Sequence, residues 1–227
     1  MGFRKVLDSL IDFIYPHNCI FCGKPDCNLC EECIGKGMPP ILEHRCHVCK
    51  QIINSGRRFV HTDCYKSTYL DGVFYCIKYT KAAKRYLSLI KYQFYFDLLR
   101  EVIAVMQVKL AVLPFGYDFL VPVPLHKERE KWRGFNQAKK IAQGLSWNTK
   151  DVLIRVRMTK VQAQLSREDR CVNVKDAFQV VSPAQVKDKT ILLVDDVFTT
   201  GSTLENCALA LKSSGAKKVF AFTWAGG

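Results

Sequence analysis

Two adjacent acids, Asp195 and Asp196, stand just ahead of a run of small and hydroxyl residues: Thr199, Thr200, Gly201, Ser202 and Thr203. A carboxylate pair repels a phosphate. It suits the hydroxyls of a sugar, or a magnesium ion beside them. The hydroxyl run suits the phosphate, since its side chains donate hydrogen bonds and Gly201 lets the backbone come close. A diol site and a phosphate site about one sugar apart describe a ribose-5-phosphate.

The neighbouring sequence must position these groups. Ile191 to Val194 is a short run of β-formers, apolar enough for a strand buried on both faces. It puts the acids at the strand's C-terminal end, where open α/β sheets hold their ligands. Beyond the loop, Leu204, Ala208 and Leu211 recur at helical spacing, with Gly215 as the stop. The loop therefore lies at a helix N-terminus, with its unpaired N–H groups and positive dipole end. The stretch VDDVFTTGST resembles the phosphoribosyl diphosphate (PRPP) motif of type I phosphoribosyltransferases. The resemblance implies that Asp195 and Asp196 take the ribose hydroxyls and that Thr199, Thr200, Gly201, Ser202 and Thr203 take the 5-phosphate, with Mg2+ accompanying PRPP.

A second chemistry lies nearer the start of the chain. Eight of the eleven cysteines fall between Cys19 and Cys64, in close pairs. With no secretion signal evident, such pairs argue for metal ligands over disulfides, and the protein is expected to be cytoplasmic. Cys19, Cys22, Cys30 and Cys33 make a four-thiolate set, with Gly23 in position for a knuckle turn. Cys27 competes with Cys30 for the same site, and sequence leaves that register open. Cys46, Cys49, His61 and Cys64 make a second set. His17, His44 and His47 are read as surface residues. Closed four-ligand sets fit structural zinc, one ion or two. Zinc suits the histidine-containing set better than an iron–sulfur cluster, which stays open as an alternative.

The chain has 227 residues and a net charge of +13. Residues 126–175 carry thirteen basic against five acidic side chains, a surface for polyphosphate, nucleic acid or a membrane face. No apolar run reaches the roughly 20 residues of a membrane span. Residues 3–14 read as a short amphipathic helix and 72–79 as a strand. Two amphipathic helices follow at 81–92 and 97–112, with Lys91 as a solvated partner of the first helix's dipole or, as the alternative, a group within reach of an anion. The first core strand is expected at 119–125, and Pro122 and Pro124 restrict the backbone after it, a place for a strained pyrophosphate loop. Arg133, before a helix at 136–145, aims a guanidinium at an anion. His126 reads as a hydrogen-bonding residue. A second strand at 152–156 precedes a long polar loop, 157–173, which reads as a lid whose Lys160, Arg167 and Arg170 neutralise pyrophosphate on closing. Residues 177–181 resume a strand, and 218–224 close the core. This alternation of strands and helices predicts a doubly wound parallel sheet. The expected division is a helix and Cys-rich zinc module over 1–70 and a phosphoribosyltransferase-like α/β domain over 71–227.

Taken together, the CxxC pairs, VPVPLH, RGFNQA, R-x-R-x-T-x-x-Q, LSREDR-x-x-N and LLVDDVFTTGST are similar to the ComF/ComFC competence family. The resemblance runs from about Cys19 to Trp224. It implies a zinc finger joined to a phosphoribosyltransferase-like domain. It also implies a role in natural transformation on incoming single-stranded DNA, beside a helicase and other DNA-uptake proteins. On that view the basic stretch meets DNA, with Trp132 and Phe135 stacking on unpaired bases. The alternative is an active phosphoribosyltransferase with an unidentified acceptor, working by electrostatic stabilisation of an oxocarbenium-like ribose.

Overall fold

The computed structural model describes residues 18–54, 58–93, 96–157 and 177–227. The expected helix at 3–14, His17 and most of the lid, with Lys160, Arg167 and Arg170, lie outside the described residues. The Cys-rich segment holds helix α1 (Glu31–Gly37) and a 3-10 helix (Thr62–Ser67). The α/β part then runs β1 (Gly72–Lys78), α2 (Lys81–Gln93), α3 (Phe96–Ala111), β2 (Phe119–Pro122), α4 (Lys127–Arg133) and α5 (Gln137–Leu145). It ends with β3 (Leu153–Arg155), β4 (Phe178–Val180), α6 (Pro183–Val186), β5 (Thr190–Phe198), α7 (Ser202–Ser213) and β6 (Lys218–Gly226).

Four strands form one parallel sheet in the order β1-β6-β5-β2. The central pair is apolar on both faces, and its alternation sorts side chains between two cores. Leu192, Val194, Phe220 and Phe222 enter the core that α2 and α3 cover with Leu87, Ile90, Leu98 and Val102. Ile191, Leu193, Val219 and Ala221 enter the opposite core, which α7 covers with Leu204, Ala208 and Leu211. Helices on both faces make the doubly wound arrangement that the alternation predicts. Helices α3 and α5 cross closely, since a Cβ on Gly144 would lie 2.6 Å from Ile103 Cδ1.

Two strand expectations need correction. The sheet begins with β1 rather than at residue 119, because β1 pairs in parallel with β6 from Gly72–Phe220 to Lys78–Gly226. Strands β3 and β4 do not join it and form a separate antiparallel pair. The reason is in their side chains. Leu153 and Phe178 are buried, while Ile154 and Gln179 face outward and Arg155 is half-buried, a one-faced pattern a sheet interior would not satisfy. The outer side of β2 is closed by residues 148–150 through Leu120 N–H to Asn148 O and Lys150 N–H to Leu120 O.

The Cys-rich segment seals the other margin. Ile41 N–H donates to Cys76 O at 2.9 Å and Lys78 N–H to Pro39 O at 3.0 Å, with Pro40 opposite Ile77. Neither described histidine between the clusters is a surface residue. His44 stacks on Phe74 with ring centroids 4.4 Å apart and meets Phe59 edge-on, and His47 is buried. Both turn inward because their segment lies against the sheet rather than standing apart from it. Among the described residues no helix is long and apolar enough to cross a membrane.

Candidate functional site

The C-terminal ends of β5 and β2, the start of α7 and the α4–α5 junction enclose an open cavity of about 250 Å³. Its floor is the acid pair at the end of β5. Asp196 is buried and bonds Lys91 Nζ at 2.6 Å. The N–H of Asp196 donates to Asp195 Oδ1 at 2.8 Å. Burial and the neighbouring charge of Asp196 push the Asp195 carboxyl up to about 7, although Lys91 pulls the other way. Burial alone would lower Lys91, but the two acids outweigh it and hold the ammonium above its usual range. Lys91 thus takes the anion-contact alternative and not the solvated dipole role. The last turn of α2 delivers it to the acids, a placement fixed by tertiary packing and invisible in its own helix.

The loop 199–203 forms the next wall. Gly201 has φ +79° and, as the N-cap of α7, offers no side chain to the first turn, where Ser202 N–H reaches Thr200 Oγ1 at 3.5 Å. A Cβ there would lie 2.8 Å from the Phe198 ring, so both the backbone conformation and the space require glycine. Thr200 Oγ1 and Ser202 Oγ share a hydrogen bond of 3.1 Å, which arranges the two hydroxyls along the loop.

The third wall comes from the α4–α5 junction. Arg133 ends α4, and Gly134 at φ +77° turns the chain into α5. Arg133 Nη1 donates to Gln137 Oε1 at 2.9 Å. Arg133 Nε and Gln137 Nε2 are buried donors with no hydrogen-bond partner among the described residues. Buried donors of this kind carry a desolvation cost unless something accepts from them. Asn136 serves the scaffold instead. It caps α5 through Lys139 N–H and donates to Val123 O at 3.0 Å, tying the helix to the end of β2. His126 caps α4, accepting from Glu128 N–H. The loop after β2 carries no residue in the left-handed region and no cis peptide bond.

At the rim, Tyr92 and Trp132 lie with ring centroids 6.0 Å apart, and the Arg133 guanidinium sits 5.5 Å from the Tyr92 ring centre. Trp132 is 71% exposed, while Phe135 is buried and is unavailable for stacking on a base. Its ring belongs to the core shared with α2 and α3. Arg129 and Arg155 also line the cavity. The structure therefore brings together Asp195, Asp196, the 199–203 loop and Arg133, and adds Lys91, Tyr92, Arg129, Gln137 and Arg155. Gln137 stands inside the RGFNQ motif, yet nothing in its type distinguishes it from a surface glutamine.

The cysteines gather into two sets. Cys19, Cys22, Cys30 and Cys33 place one sulfur each within 4.8 Å of the others, and Cys46, Cys49, His61 and Cys64 do the same with one imidazole nitrogen. Cys27 stands aside, its sulfur facing Lys24 O at 3.8 Å. Gly23 at φ +76° donates to Cys19 O at 2.8 Å, the expected knuckle turn. Burial would raise the Cys19 thiol, but N–H groups of Cys30, Cys22 and Phe21 aimed at the sulfur bring it down to about 6. Cys46 shows the same balance at about 6, through Cys49, His61 and Val48. Conversely, burial and the neighbouring Cys49 and Cys46 push Cys64 up to about 11. Such crowding of sulfurs is what a divalent cation relieves. Closed N/S sets with N–H groups turned to the sulfurs fit structural zinc.

Fold and site together define a phosphoribosyltransferase-like α/β protein with a zinc-binding module. Residues 132–225 match the family model of the phosphoribosyl transferase domain, and residues 10–68 match that of the double zinc ribbon domain. The chain is 32% identical over 208 residues to the DNA utilization protein YhgH of Escherichia coli K12, covering 88% of this chain and 85% of that one. It is 28% identical over 241 residues to competence protein ComFC of Bacillus subtilis, covering 98% and 95%. To competence protein F of Haemophilus influenzae it is 40% identical over 108 residues, 45% of this chain and 47% of that one. The chain belongs to this family, which includes competence protein F, ComFC and YhgH.

Proposed function

We propose that the cavity binds a 5-phosphoribosyl ligand of the PRPP type and that the protein acts on single-stranded DNA in DNA uptake. The observation that carries the ligand reading is the division of one cavity into two electrostatic zones. The acids Asp195 and Asp196 form one, suited to ribose hydroxyls and to Mg2+. The start of α7, with its glycine N-cap, and the buried donors of Arg133 and Gln137 form the other, suited to phosphate oxygens. Thr199 to Thr203 then wrap the 5-phosphate. Arg133, with Lys160 and Arg170 from the segment beyond β3, takes the diphosphate. On entry the sugar hydroxyls replace Lys91 on Asp196.

The names of the relatives support the DNA side: competence proteins and a DNA utilization protein. A helicase and other DNA-uptake proteins are the partners this role calls for. The rim pair Tyr92 and Trp132 beside α4 offers stacking faces, and Lys127, Arg129, Lys131 and Arg133 offer backbone contacts. The same rim pair favours a second reading, in which a flat acceptor stacks there and receives the ribosyl group as diphosphate leaves.

The test is calorimetric titration of Mg2+–PRPP into the zinc-loaded chain and into the variant with Asp195→Asn and Asp196→Asn. Binding that the variant loses is the expected result, and a wild-type protein that takes up no PRPP refutes the ligand assignment. Charge reversal of Lys127, Arg129, Lys131 and Arg133 should weaken single-stranded DNA binding and flatten its salt dependence. Unchanged affinity would remove that face from the DNA site. Diphosphate release in the presence of an acceptor distinguishes the enzyme.

A further inference from the structure

The phosphate-binding loop is braced from outside the α/β core. The second cysteine cluster is built on a tight hairpin, Cys46 to Lys50, closed by Lys50 N–H donating to Cys46 O at 2.8 Å. Two side chains of this hairpin, His47 and Lys50, reach across to the residues that flank the loop, Phe198 and Glu205. His47 Nε2 lies 2.8 Å from Thr68 Oγ1 and 3.4 Å from Glu205 Oε1. The Thr68 hydroxyl donates to Glu205 Oε1 at 2.5 Å, and Tyr69 N–H donates to Glu205 Oε2 at 2.9 Å. With its proton given to Glu205, Thr68 can only accept from His47, so His47 carries its proton on Nε2.

Glu205 lies in the first turn of α7, and its N–H closes that turn on Gly201 O at 2.8 Å. Holding its carboxylate holds the turn that carries the loop. The second contact runs through Phe198. Lys50 Nζ stands 5.4 Å from the centre of that ring and His47 meets it edge-on at 6.1 Å. The same ring packs against Gly201. A hairpin whose shape depends on Cys46 and Cys49 is thereby coupled to the backbone that faces the anion.

We propose that the Cys46–Cys49–His61–Cys64 metal centre sets the affinity of the 199–203 loop for its anion, with His47, Thr68 and Glu205 as positioning residues. The inference rests on the reading of that loop as a phosphate site. Coupling between two sites is reciprocal, so a bound phosphoribosyl ligand must also tighten metal binding at this centre by the same factor.

The experiment uses the zinc-loaded full chain, with Mg2+–PRPP binding measured first by calorimetry. Zinc partition to a coloured chelator is then titrated to equilibrium with and without saturating Mg2+–PRPP. One of the two zinc ions should be held about 5-fold or more tightly while the other stays unchanged. Glu205→Gln should keep its zinc content but lose the tightening, and bind PRPP about 5-fold or more weakly. His47→Phe, which keeps a ring against Phe198 and loses the donor, should do the same. PRPP binding without any change in zinc affinity overturns the coupling, as does a folded Glu205→Gln protein with wild-type affinity. A wild-type chain that fails to bind PRPP overturns the ligand reading and the coupling with it. The wild-type zinc affinities decide the matter even where a variant fails to fold.

Discussion

Replacing Asp195 by Asn should stabilise the protein at neutral and alkaline pH. Asp195 shares the end of β5 with Asp196, and the lysine ion-paired there is held by Asp196 at 2.6 Å. Burial first, and then the charge of Asp196, raise the carboxyl from 3.8 to about 7. The folded state therefore holds a proton that the unfolded chain gives up at lower pH. The associated stability is fully present below the unfolded value of 3.8 and disappears as pH rises through about 7. A shift of roughly three units corresponds to about 4 kcal/mol if Asp195 alone bears it, and about 2 kcal/mol if the acid pair shares it. Asn keeps the shape and removes the titration. At pH 8, about 2 kcal/mol corresponds to a Tm higher by about 4–8 °C in a chain of this size. The assay is thermal unfolding of the zinc-loaded wild type and variant from pH 5 to 8. The cysteine ligands are common to both proteins, so the difference between the curves isolates Asp195. Wild type should lose Tm relative to the variant as pH rises. A variant that is less stable at pH 8, or two parallel curves, would refute the reasoning.

Three further outcomes follow from the same geometry. Lys91→Met strands Asp196 as a buried charge; it should cost about 2–3 kcal/mol in urea unfolding, below the 3–5 of a fully buried pair because Lys91 is 22% exposed. Gly201→Ala must adopt φ +79° and displace the Phe198 ring; PRPP binding measured by calorimetry should fall by more than tenfold while far-UV circular dichroism stays near wild type. Metal analysis of the purified chain should give two zinc ions per molecule, and Cys27→Ser should leave that number unchanged whereas Cys30→Ser should lower it, because Cys27 stands outside both sets.

The legible parts of the sequence were those where local chemistry and fold agree. The Ile191–Val194 run, the acids after it and the glycine before α7 are neighbours in the chain, and their order alone implies a strand, a ligand edge and a helix start. The cysteine pairs were legible for the same reason, although the choice of Cys30 over Cys27 needed three-dimensional positions. What sequence could not give depends on packing between distant segments. Lys91 comes from a helix about a hundred residues before its partner. Tyr92 joins Trp132 only because α2 and α4 end at the same rim. The strands around Leu153 and Phe178 have ordinary strand composition, and their exclusion from the main sheet became apparent only through the one-sided burial of Leu153 and Phe178, with Ile154 and Gln179 left exposed. His44 and His47 look like ordinary surface residues in a polar loop until that loop is laid against β1 and α7.

The antiparallel segment at residues 39–41 has a consequence for self-association. The two bonds it makes to β1 are flanked by Pro40, whose own backbone groups point away from the sheet. A residue with an N–H there would offer the next chain a donor, and proline offers none. The sheet thus ends in a row that cannot readily template another strand. The segment lies between the two cysteine sets, so its hold on β1 is strongest while both are metal-bound. Stripped of zinc, the chain should uncover the edge of β1, whose Val73, Phe74, Cys76 and Ile77 are buried in the folded protein. An uncovered apolar edge pairs with its like. Metal starvation should then be visible in light scattering as oligomers before it is visible as loss of helix, and the protein's solubility becomes a property of its zinc supply.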